Sequence, residues 1–443
     1  MGVDDAVLPE TKNKTMRLHK QRRVVITGLG VVAPNGIGKE DFWHACISGR
    51  SGVRHITLFD ASFLPTRIAG EVADFDPISL GLTKQEVEMF DRGTQFAVAA
   101  ANLAYCDSNL PGELSESERN STGVMMGHAL SSVEVGERLW LKFTNRGTKP
   151  LFARKQDLQP ATFLMSFTPT SVIAAHHQLY GPSTVISTGC SAGADAIGQA
   201  YWAIQEGRAD RMFAGGSDSA ISATGVNVFS VMKALSTRND DPERASRPYD
   251  GQRDGFVTAE GAGVLLLEER ELALARGAHI YAELISFTTN SNGHHMTTLP
   301  EDGAPLQFLL KKTLEEVDIT PDRLDYINSH GSSTRANELA ETAAYKAVFG
   351  KQAYHIPISS TKSMIGHTQG AASAIETIVT ALVLDRQCIP PTINQYHPDP
   401  ICDLDYVANV ARCADVNVAL THSSGFGGVN TALVLVRSNW MDG

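Results

Sequence analysis

The sequence predicts a layered α/β fold, and three features of its 443 residues indicate this class. Short β-branched runs such as 24–27 and 123–126 alternate with longer Ala-rich segments such as 90–105, the order expected of sheets covered by helices. Many short runs are apolar and bounded by Gly, Ser or Pro, which is typical of buried strands. Two segments, 185–198 and 358–374, also resemble each other, since each has a strand-like run ending in Ser-Thr before a Gly- and Ala-rich stretch.

The elements follow from these patterns in chain order. We predict a helix at 90–105 and strands at 24–27, 123–126, 185–187, 211–214, 263–267, 280–287, 326–328, 416–420 and 432–436. Small-residue helices begin near Cys190 and near Met364, and their Gly and Ala spacing lets two helix backbones approach closely. The repeat indicates two related halves with these helices side by side. Their N-terminal turns would open into one cleft, where α/β sheets usually bind ligands.

Charge and composition exclude several classes of function. The chain carries 49 acidic and 38 basic side chains, a formal charge of −11, so a nucleic-acid partner is not expected. No apolar run approaches the ~18–20 residues of a membrane span, so no membrane association is expected. Residues 1–22 are polar and predict a disordered leader rather than a secretory signal.

The cysteines and histidines predict neither disulfides nor a metal site. Six cysteines without a Cys-x-x-Cys pair fit a reducing, cytoplasmic setting. The adjacent pairs His176-His177 and His294-His295 lack cysteine partners, whereas structural zinc sites combine Cys and His at short spacings. We therefore expect no bound metal.

One cysteine stands out as a candidate nucleophile. Cys190 lies at a predicted strand-to-helix turn, where free backbone N–H groups and the helix dipole favour a thiolate. The remaining five are expected to be small buried apolar residues, the common fate of free cysteine: Cys46, Cys106, Cys388, Cys402 and Cys413.

The same turn allows a rival interpretation. Residues 189–193 read Gly-Cys-Ser-Ala-Gly, which matches the Gly-x-Ser-x-Gly nucleophile elbow of α/β-hydrolases and would make Ser191 the nucleophile. That class requires a single acid and then a single late histidine. The later motifs differ from this order, so the hydrolase hypothesis ranks lowest.

Two histidines in the second half occupy further strand-to-helix turns. His330 follows the strand at 326–328 within a Gly- and hydroxyl-rich turn, and His367 ends the segment 362–367. Lys362 supplies a fixed positive charge beside the second turn. Near the C-terminus, residues 423–428 form a Ser-Ser-Gly-Phe-Gly-Gly loop that can present a backbone N–H and move the Phe426 ring.

Taken together, these motifs closely resemble the elongating β-ketoacyl-acyl-carrier-protein synthases, type II, of the thiolase superfamily. The resemblance runs from about Arg23 to Arg437, and its motifs lie at 25–30, 187–193, 235–238, 247–263, 329–334, 360–367 and 425–428. It implies an α/β, thiolase-like five-layer αβαβα sandwich built from two pseudo-symmetric βαβαβ halves. Residues 23–275 would form the half with the nucleophilic cysteine, and 276–443 the half with the two histidines and the lysine.

The resemblance also implies a reaction and a set of roles. Cys190 would accept an acyl chain from a carrier-protein thioester, and malonyl-carrier protein would decarboxylate to an enolate stabilised by His330 and His367. The oxyanion of the condensation would lie between the backbone N–H groups of Cys190 and Phe426. Lys362 and Glu341 would form a supporting ion pair.

The resemblance also implies roles for residues around the catalytic groups. Phe426, Gly425 and Gly427 would form a gating loop, Thr297 and Thr334 would lie along the pantetheine channel, and Leu130 would line the acyl pocket. Arg238 would contact the carrier protein. The expected partners are an acyl carrier protein and its malonyl- and acyl-thioesters, in a homodimer or a heterodimer, with no cofactor beyond the carrier's phosphopantetheine.

Departures from the family pattern leave alternatives open. Glu338 stands where the family usually has Asp, Ser332 where it usually has Thr, and Glu86 and Glu88 where bacterial fatty-acid members tend to be basic. The pathway is therefore either fatty-acid or polyketide synthesis. A non-condensing chain-length partner subunit is the main alternative function, although such subunits usually lack the cysteine. A biosynthetic thiolase would need a second cysteine where Phe426 stands.

Overall fold

The structure is a computed structural model that describes residues 22–130, 132–150 and 165–442. The predicted leader therefore lies outside the described residues except for Arg22. The strands are β1 (Val24–Ala33), β2 (Gly36–Ile37), β3 (Val53–His55), β4 (Ile68–Gly70), β5 (Thr122–Gly127), β6 (Ser183–Ile186), β7 (Arg211–Asp218), β8 (Gly261–Glu269), β9 (Ala282–Ser291), β10 (Tyr326–Asn328), β11 (Ile358–Ser359), β12 (Cys388–Ile389), β13 (Arg412–Cys413), β14 (Val418–Ser424) and β15 (Val429–Val436).

The helices alternate with these strands as the sequence predicts. They are α1 (Lys39–Ile47), α2 (Lys84–Met89), α3 (Arg92–Asp107), α4 (Glu116–Ser121), α5 (Val133–Phe143), α6 (Thr168–His176), α7 (Ala192–Gln205), α8 (Ala223–Val231), α9 (Arg270–Ala275), α10 (Ala304–Glu315), α11 (Arg335–Phe349), α12 (Lys362–Ile365) and α13 (Ala372–Arg386). Among the described residues no helix combines the length and hydropathy that a membrane crossing requires.

The main sheet consists of two five-stranded sets with the same topology. The strand order is β1-β8-β7-β5-β6 in the first set and β9-β15-β14-β10-β11 in the second. In both sets the first two pairings are antiparallel and the last two are parallel. An antiparallel pairing of β1 with β9 joins the sets. This repetition confirms two pseudo-symmetric halves.

The central helices α7 and α13 pack against each other and against strands of both halves. Helices α3 and α6 cover the outer face of the first set, and α10 and α11 cover that of the second. Helices and sheets therefore alternate in five layers. The central contact needs small residues, because a Cβ added to Gly193 would lie 2.8 Å from Cβ of Ala374 and 2.9 Å from the carbonyl oxygen of Gly370. The predicted thiolase-like α/β fold is confirmed.

Two details of the prediction need correction. The second central helix begins at Ala372 rather than near Met364, because the short helix α12 and a 3-10 turn at Gln369–Ala371 precede it. Cys106 and Cys413 are exposed rather than buried, whereas Cys46 and Cys402 are buried as expected. Cys388 is half-buried.

Candidate functional site

Cys190 lies in the tight turn between β6 and α7. Gly189 adopts φ +62°, a left-handed conformation that favours glycine, and residues Gly189–Ser191 form a 3-10 turn leading into the helix. A Cβ at Gly189 would also lie 2.6 Å from the carbonyl oxygen of Phe426. The turn therefore packs directly on the glycine-rich loop at 425–428. Cys190 is buried, with 6% of its surface exposed.

Burial changes the expected state of the Cys190 thiol. Desolvation raises the pKa of Cys190 to about 11, although the Phe426 N–H and the charge of Lys362 lower it. The sequence argument for a resting thiolate is therefore wrong, because burial outweighs the Phe426 N–H and the Lys362 charge, which favour the thiolate. The thiol is protonated at neutral pH.

His367 is held in one tautomer by the main chain. The backbone N–H of Gln369 donates to Nδ1 of His367 at 3.0 Å, so the ring proton resides on Nε2. Burial, with a smaller effect of the Lys362 charge, holds the pKa of His367 well below its usual range. His367 is therefore a neutral imidazole that can donate Nε2–H.

His330 has the same tautomer for a different reason. Its Nδ1 lies 3.4 Å from Nζ of Lys362 and 3.2 Å from Oγ of Ser423, and an ammonium group can only donate. Burial and then the Lys362 charge hold the pKa of His330 well below its usual range. The His330 and His367 rings are nearly perpendicular, at 77°, with centroids 5.4 Å apart.

Lys362 supports this arrangement with a different partner than predicted. Its ammonium group forms a buried ion pair with Glu376 on α13 and donates to the carbonyl oxygen of His330 at 2.7 Å. The predicted ion pair with Glu341 is wrong. Glu341 instead accepts from the Tyr249 hydroxyl at 2.8 Å and from the Gly331 N–H at 3.2 Å, and burial raises its pKa to about 7.

The glycine-rich loop between β14 and β15 covers the Cys190 turn. Gly427 adopts φ +91° and Gly428 φ +78°, and the Gly427 N–H donates to the Met296 carbonyl at 2.7 Å. A Cβ on Gly425 would lie 3.0 Å from the backbone nitrogen of Cys190. This close approach holds the loop against the Cys190 turn, and the Phe426 N–H donates to the Cys190 thiol.

A pocket that is partly open to solvent joins these groups. Its wall includes Cys190, Phe256, Asn292, His295, Met296, Thr297, Leu299, His330, Ser332, Thr334, Asn337, His367, Gln369, Ser424, Gly425 and Phe426. Lys362 and Glu341 are buried behind this wall. Leu130 packs in an apolar cluster with Phe426 and Phe229. Arg238 is not part of the pocket wall, and its side chain donates to the Gln252 carbonyl at 3.1 Å. Gly427 is likewise absent from the pocket wall.

Ser191 does not face the pocket. Its side chain is fully buried, and its hydroxyl donates to the carbonyl oxygens of Val429 at 3.0 Å and Ser423 at 3.3 Å. The nucleophile-elbow hypothesis is therefore not supported by the geometry. Within residues 22–130, 132–150 and 165–442, moreover, no three His, Cys, Asp or Glu side chains are grouped to hold a metal ion.

Sequence reasoning missed several supporting residues. Ser423 donates to the Cys190 carbonyl at 3.2 Å, and Asp218 accepts from the Gly370 N–H at 2.6 Å and the Ala129 N–H at 2.8 Å. Glu376 has no motif of its own. The contact of Gln369 could have been predicted from its position, because a backbone N–H two residues after His367 in a tight turn can reach that imidazole.

Comparison with known proteins places this geometry in context. The profile of the family described as "Beta-ketoacyl synthase, N-terminal domain" matches residues 21–273, and that of "Beta-ketoacyl synthase, C-terminal domain" matches residues 281–396. The chain is 45% identical to the tetracenomycin polyketide synthase ketoacyl synthase alpha subunit of Streptomyces glaucescens, over 95% of this chain and 99% of the relative.

A second relative and a solved structure are also similar to this chain over most of its length. The 3-oxoacyl-[acyl-carrier-protein] synthase 2 of Coxiella burnetii is 42% identical over 94% of this chain and 99% of its own length. A solved structure described as "AntDE:AntF (apo): type II PKS acyl-carrier protein in complex with its ketosynthase bound to the hexaketide" superposes with a TM-score of 0.86 at 36% identity. That match covers 94% of this chain and 99% of the other.

Proposed function

Because the chain belongs to the β-ketoacyl synthase family, we propose that it elongates an acyl group held on Cys190 by decarboxylative condensation with malonyl-carrier protein. One observation carries this proposal most directly. A pocket places a buried thiol, which accepts a hydrogen bond from the Phe426 N–H, together with two neutral imidazoles whose Nδ1 atoms are already occupied. A nucleophile and two N–H donors are the groups that this reaction needs.

The first step is acyl transfer to Cys190. The thiol is protonated at rest, so its sulfur attacks the thioester carbonyl while its proton passes to the departing phosphopantetheine thiolate. The backbone N–H groups of Cys190 and Phe426 would donate to the developing oxyanion. The C–S bond to the carrier breaks as the C–S bond to Cys190 forms, so the acyl group is stored covalently.

The second step is decarboxylation of the malonyl group. Loss of CO₂ leaves an enolate, and the Nε2–H groups of His330 and His367 would donate to its oxygen. A neutral imidazole with its proton on Nε2 suits this role because it can donate to the enolate oxygen without changing its protonation state. Lys362 acts as a positioning residue for His330, since it is bound to the His330 carbonyl and lies beside its Nδ1.

In the third step the enolate carbon attacks the acyl carbonyl of acyl-Cys190. A carbon–carbon bond forms and the new oxyanion accepts from the Cys190 and Phe426 N–H groups. As this oxyanion collapses, the C–S bond to Cys190 breaks, and the departing thiolate takes a proton from water. The product is a β-ketoacyl chain that is two carbons longer and remains on the carrier protein. Thr297 and Thr334 lie on the pocket wall where they would line the path of the pantetheine arm.

We further propose that an acyl carrier protein delivers both substrates and that the chain works as a dimer. Strand β6 supports the dimer, because among the described residues it pairs only with β5 and leaves an exposed edge. Arg238 is a candidate carrier contact, with a side chain 32% exposed. One relative is named an alpha subunit, and this name favours a related second chain as the partner in the dimer.

The decisive experiment is intact-mass measurement after incubation with acyl-carrier-protein thioesters of graded chain length. We expect one acyl adduct per chain, absent in the matched variant Cys190→Ala, and a β-ketoacyl product once malonyl-carrier protein is added. Acylation without a condensed product would contradict the condensing function. Failure of a well-folded protein to acylate with every carrier offered would instead favour the chain-length partner function.

A further inference from the structure

Two cysteines that do not line the pocket face each other across a two-stranded ribbon. Strands β12 and β13 pair antiparallel with Cys388 directly opposite Cys413. The next hydrogen bond along the ribbon runs from the Ala414 N–H to the Gln387 carbonyl at 3.2 Å. Because hydrogen-bonded and non-hydrogen-bonded positions alternate in an antiparallel pair, the two cysteines occupy a non-hydrogen-bonded position.

This position has the dimensions of a disulfide. Cα atoms at non-hydrogen-bonded antiparallel positions are about 4.5 Å apart, and disulfides span Cα separations of about 4.4–6.8 Å. The thiol of Cys413 is within hydrogen-bonding reach of the Cys388 thiol, and burial followed by this neighbouring thiol raises the pKa of Cys388. Both residues are free cysteines, one exposed and one half-buried.

We propose that Cys388 and Cys413 form a reversible cross-strand disulfide, a redox modification site separate from the condensing site. The oxidant is a low-molecular-weight disulfide. The exposed Cys413 sulfur attacks it, forming a mixed disulfide and releasing one thiol. The Cys388 sulfur then attacks the Cys413 sulfur, and a second thiol leaves. In total, two S–H bonds of the protein break, one S–S bond forms, and one oxidant disulfide is reduced to two thiols.

The disulfide would close a loop that contacts both halves of the chain. Residues 389–412 connect the two cysteines, and Thr392 in this loop accepts from the Ser360 N–H at 2.9 Å. Asp399 of the loop forms an ion pair with Arg253 at 2.7 Å. Closing the loop restricts the unfolded chain, so the oxidised form should unfold at a temperature a few degrees higher.

The test uses the full chain and glutathione disulfide as the oxidant. Trypsin cleaves after Arg386, Arg412 and Arg437, which separates Cys388 from Cys413 into two peptides, 387–412 and 413–437. After oxidation we expect the intact chain to lose two hydrogen atoms in mass and the two peptides to appear linked. Fragmentation must place the link on Cys388 rather than Cys402, and dithiothreitol must reverse it.

Two variants control the assignment. Cys413→Ser should abolish the linked peptide and the thermal shift, whereas Cys106→Ser, which removes another exposed thiol, should retain both. A stable glutathione adduct on Cys413 without the linked peptide would overturn the proposal, and so would a link to Cys402. Because none of these readouts depends on condensation, a failed disulfide and a failed condensing function are distinguishable.

Discussion

The backbone N–H of Gln369 donates to Nδ1 of His367 at 3.0 Å and thereby leaves the proton of that imidazole on Nε2. The donor belongs to the main chain, so no side-chain titration can remove it. The orientation of His367 is therefore fixed by the turn Gln369–Ala371 that precedes the central helix α13.

The first prediction concerns this donor. His367→Ala should reduce malonyl decarboxylation by about 10²–10³-fold, the usual loss when one oxyanion donor is removed, while acylation of Cys190 persists. His367→Asn keeps a side-chain N–H and should recover part of the rate. Carbon dioxide release and intact mass measure the two steps separately. Equal losses in both steps would contradict the assigned role.

The second prediction concerns the approach of the glycine loop to Cys190. Gly425→Ala adds a Cβ 3.0 Å from both the Cys190 nitrogen and the Thr188 carbonyl oxygen. Both contacts are backbone atoms, so the loop has to shift by a few tenths of an ångström and the Phe426 N–H shifts with it. We expect acylation to fall by tenfold or more on this ground. Gly112→Ala is the control, since its added Cβ meets nothing within 4 Å, and it should keep the parental rate.

The third prediction concerns the buried ion pair of Lys362 and Glu376. Glu376→Ala leaves an unpaired buried ammonium, and such losses typically cost about 3–5 kcal/mol of the free energy of unfolding. Urea unfolding measures this cost. The control is the exposed pair of Glu206 and Arg208, whose side chains are 60% and 49% accessible, and Arg208→Ala should cost less than about 1 kcal/mol. Similar costs for both variants would show that the buried pair is not structural.

The fourth prediction is a dependence of stability on pH through Glu338. Burial raises the pKa of Glu338 to about 8 from its ordinary value of 4.5. Its Oε2 lies 3.5 Å from Nε of Arg253 and has no hydrogen-bond partner among the described residues. Between these two pKa values the folded chain binds the proton that the unfolded chain has lost, so stability falls as the pH rises.

The expected slope of this group is about 1.4 kcal/mol per pH unit across that window. Glu338→Gln removes the titrating group and should flatten the dependence by that amount. Urea titrations of both proteins between pH 5 and pH 8 supply the comparison. Parallel curves would mean that Glu338 is ionised in the folded protein.

The fifth prediction separates the thiol from the neighbouring hydroxyl. Ser191→Ala removes donation to two backbone carbonyls and should lower stability by about 1 kcal/mol without preventing acylation of Cys190. A fluorophosphonate probe should leave the parental protein unlabelled at Ser191, because that side chain is fully buried. Labelling at Ser191 would restore the hydrolase hypothesis.

The fold could be predicted from sequence because its strands are apolar and its central helices carry Gly and Ala at the contact. The strand ends were less accurate: the observed β14 extends to Ser424, although the apolar run stops at 420. The polar residues 421–424 are buried because they continue the pairing of β14 with β15, and of the four only Ser424 lines the pocket. Polar composition alone predicts a loop at such a position.

The site could be predicted only as far as its motifs reach. Cys190, His330, His367 and Phe426 lie in recognisable turns, and the structure brings them to one pocket. The partner of Lys362 was not predictable, because Glu376 lies on the buried helix α13 and no spacing rule relates the two. The state of Cys190 was mispredicted because helix polarity is visible in a sequence, whereas the extent of desolvation is not.

The contact between Gly193 and Ala374 has a consequence for how activity is lost. The thiol comes from one half of the chain and both imidazoles from the other, and the two meet where the central helices touch without large side chains between them. A small sliding of one helix along the other would separate nucleophile from donors while every strand remained paired. Activity should therefore vanish under milder denaturing conditions than those that unfold the sheet.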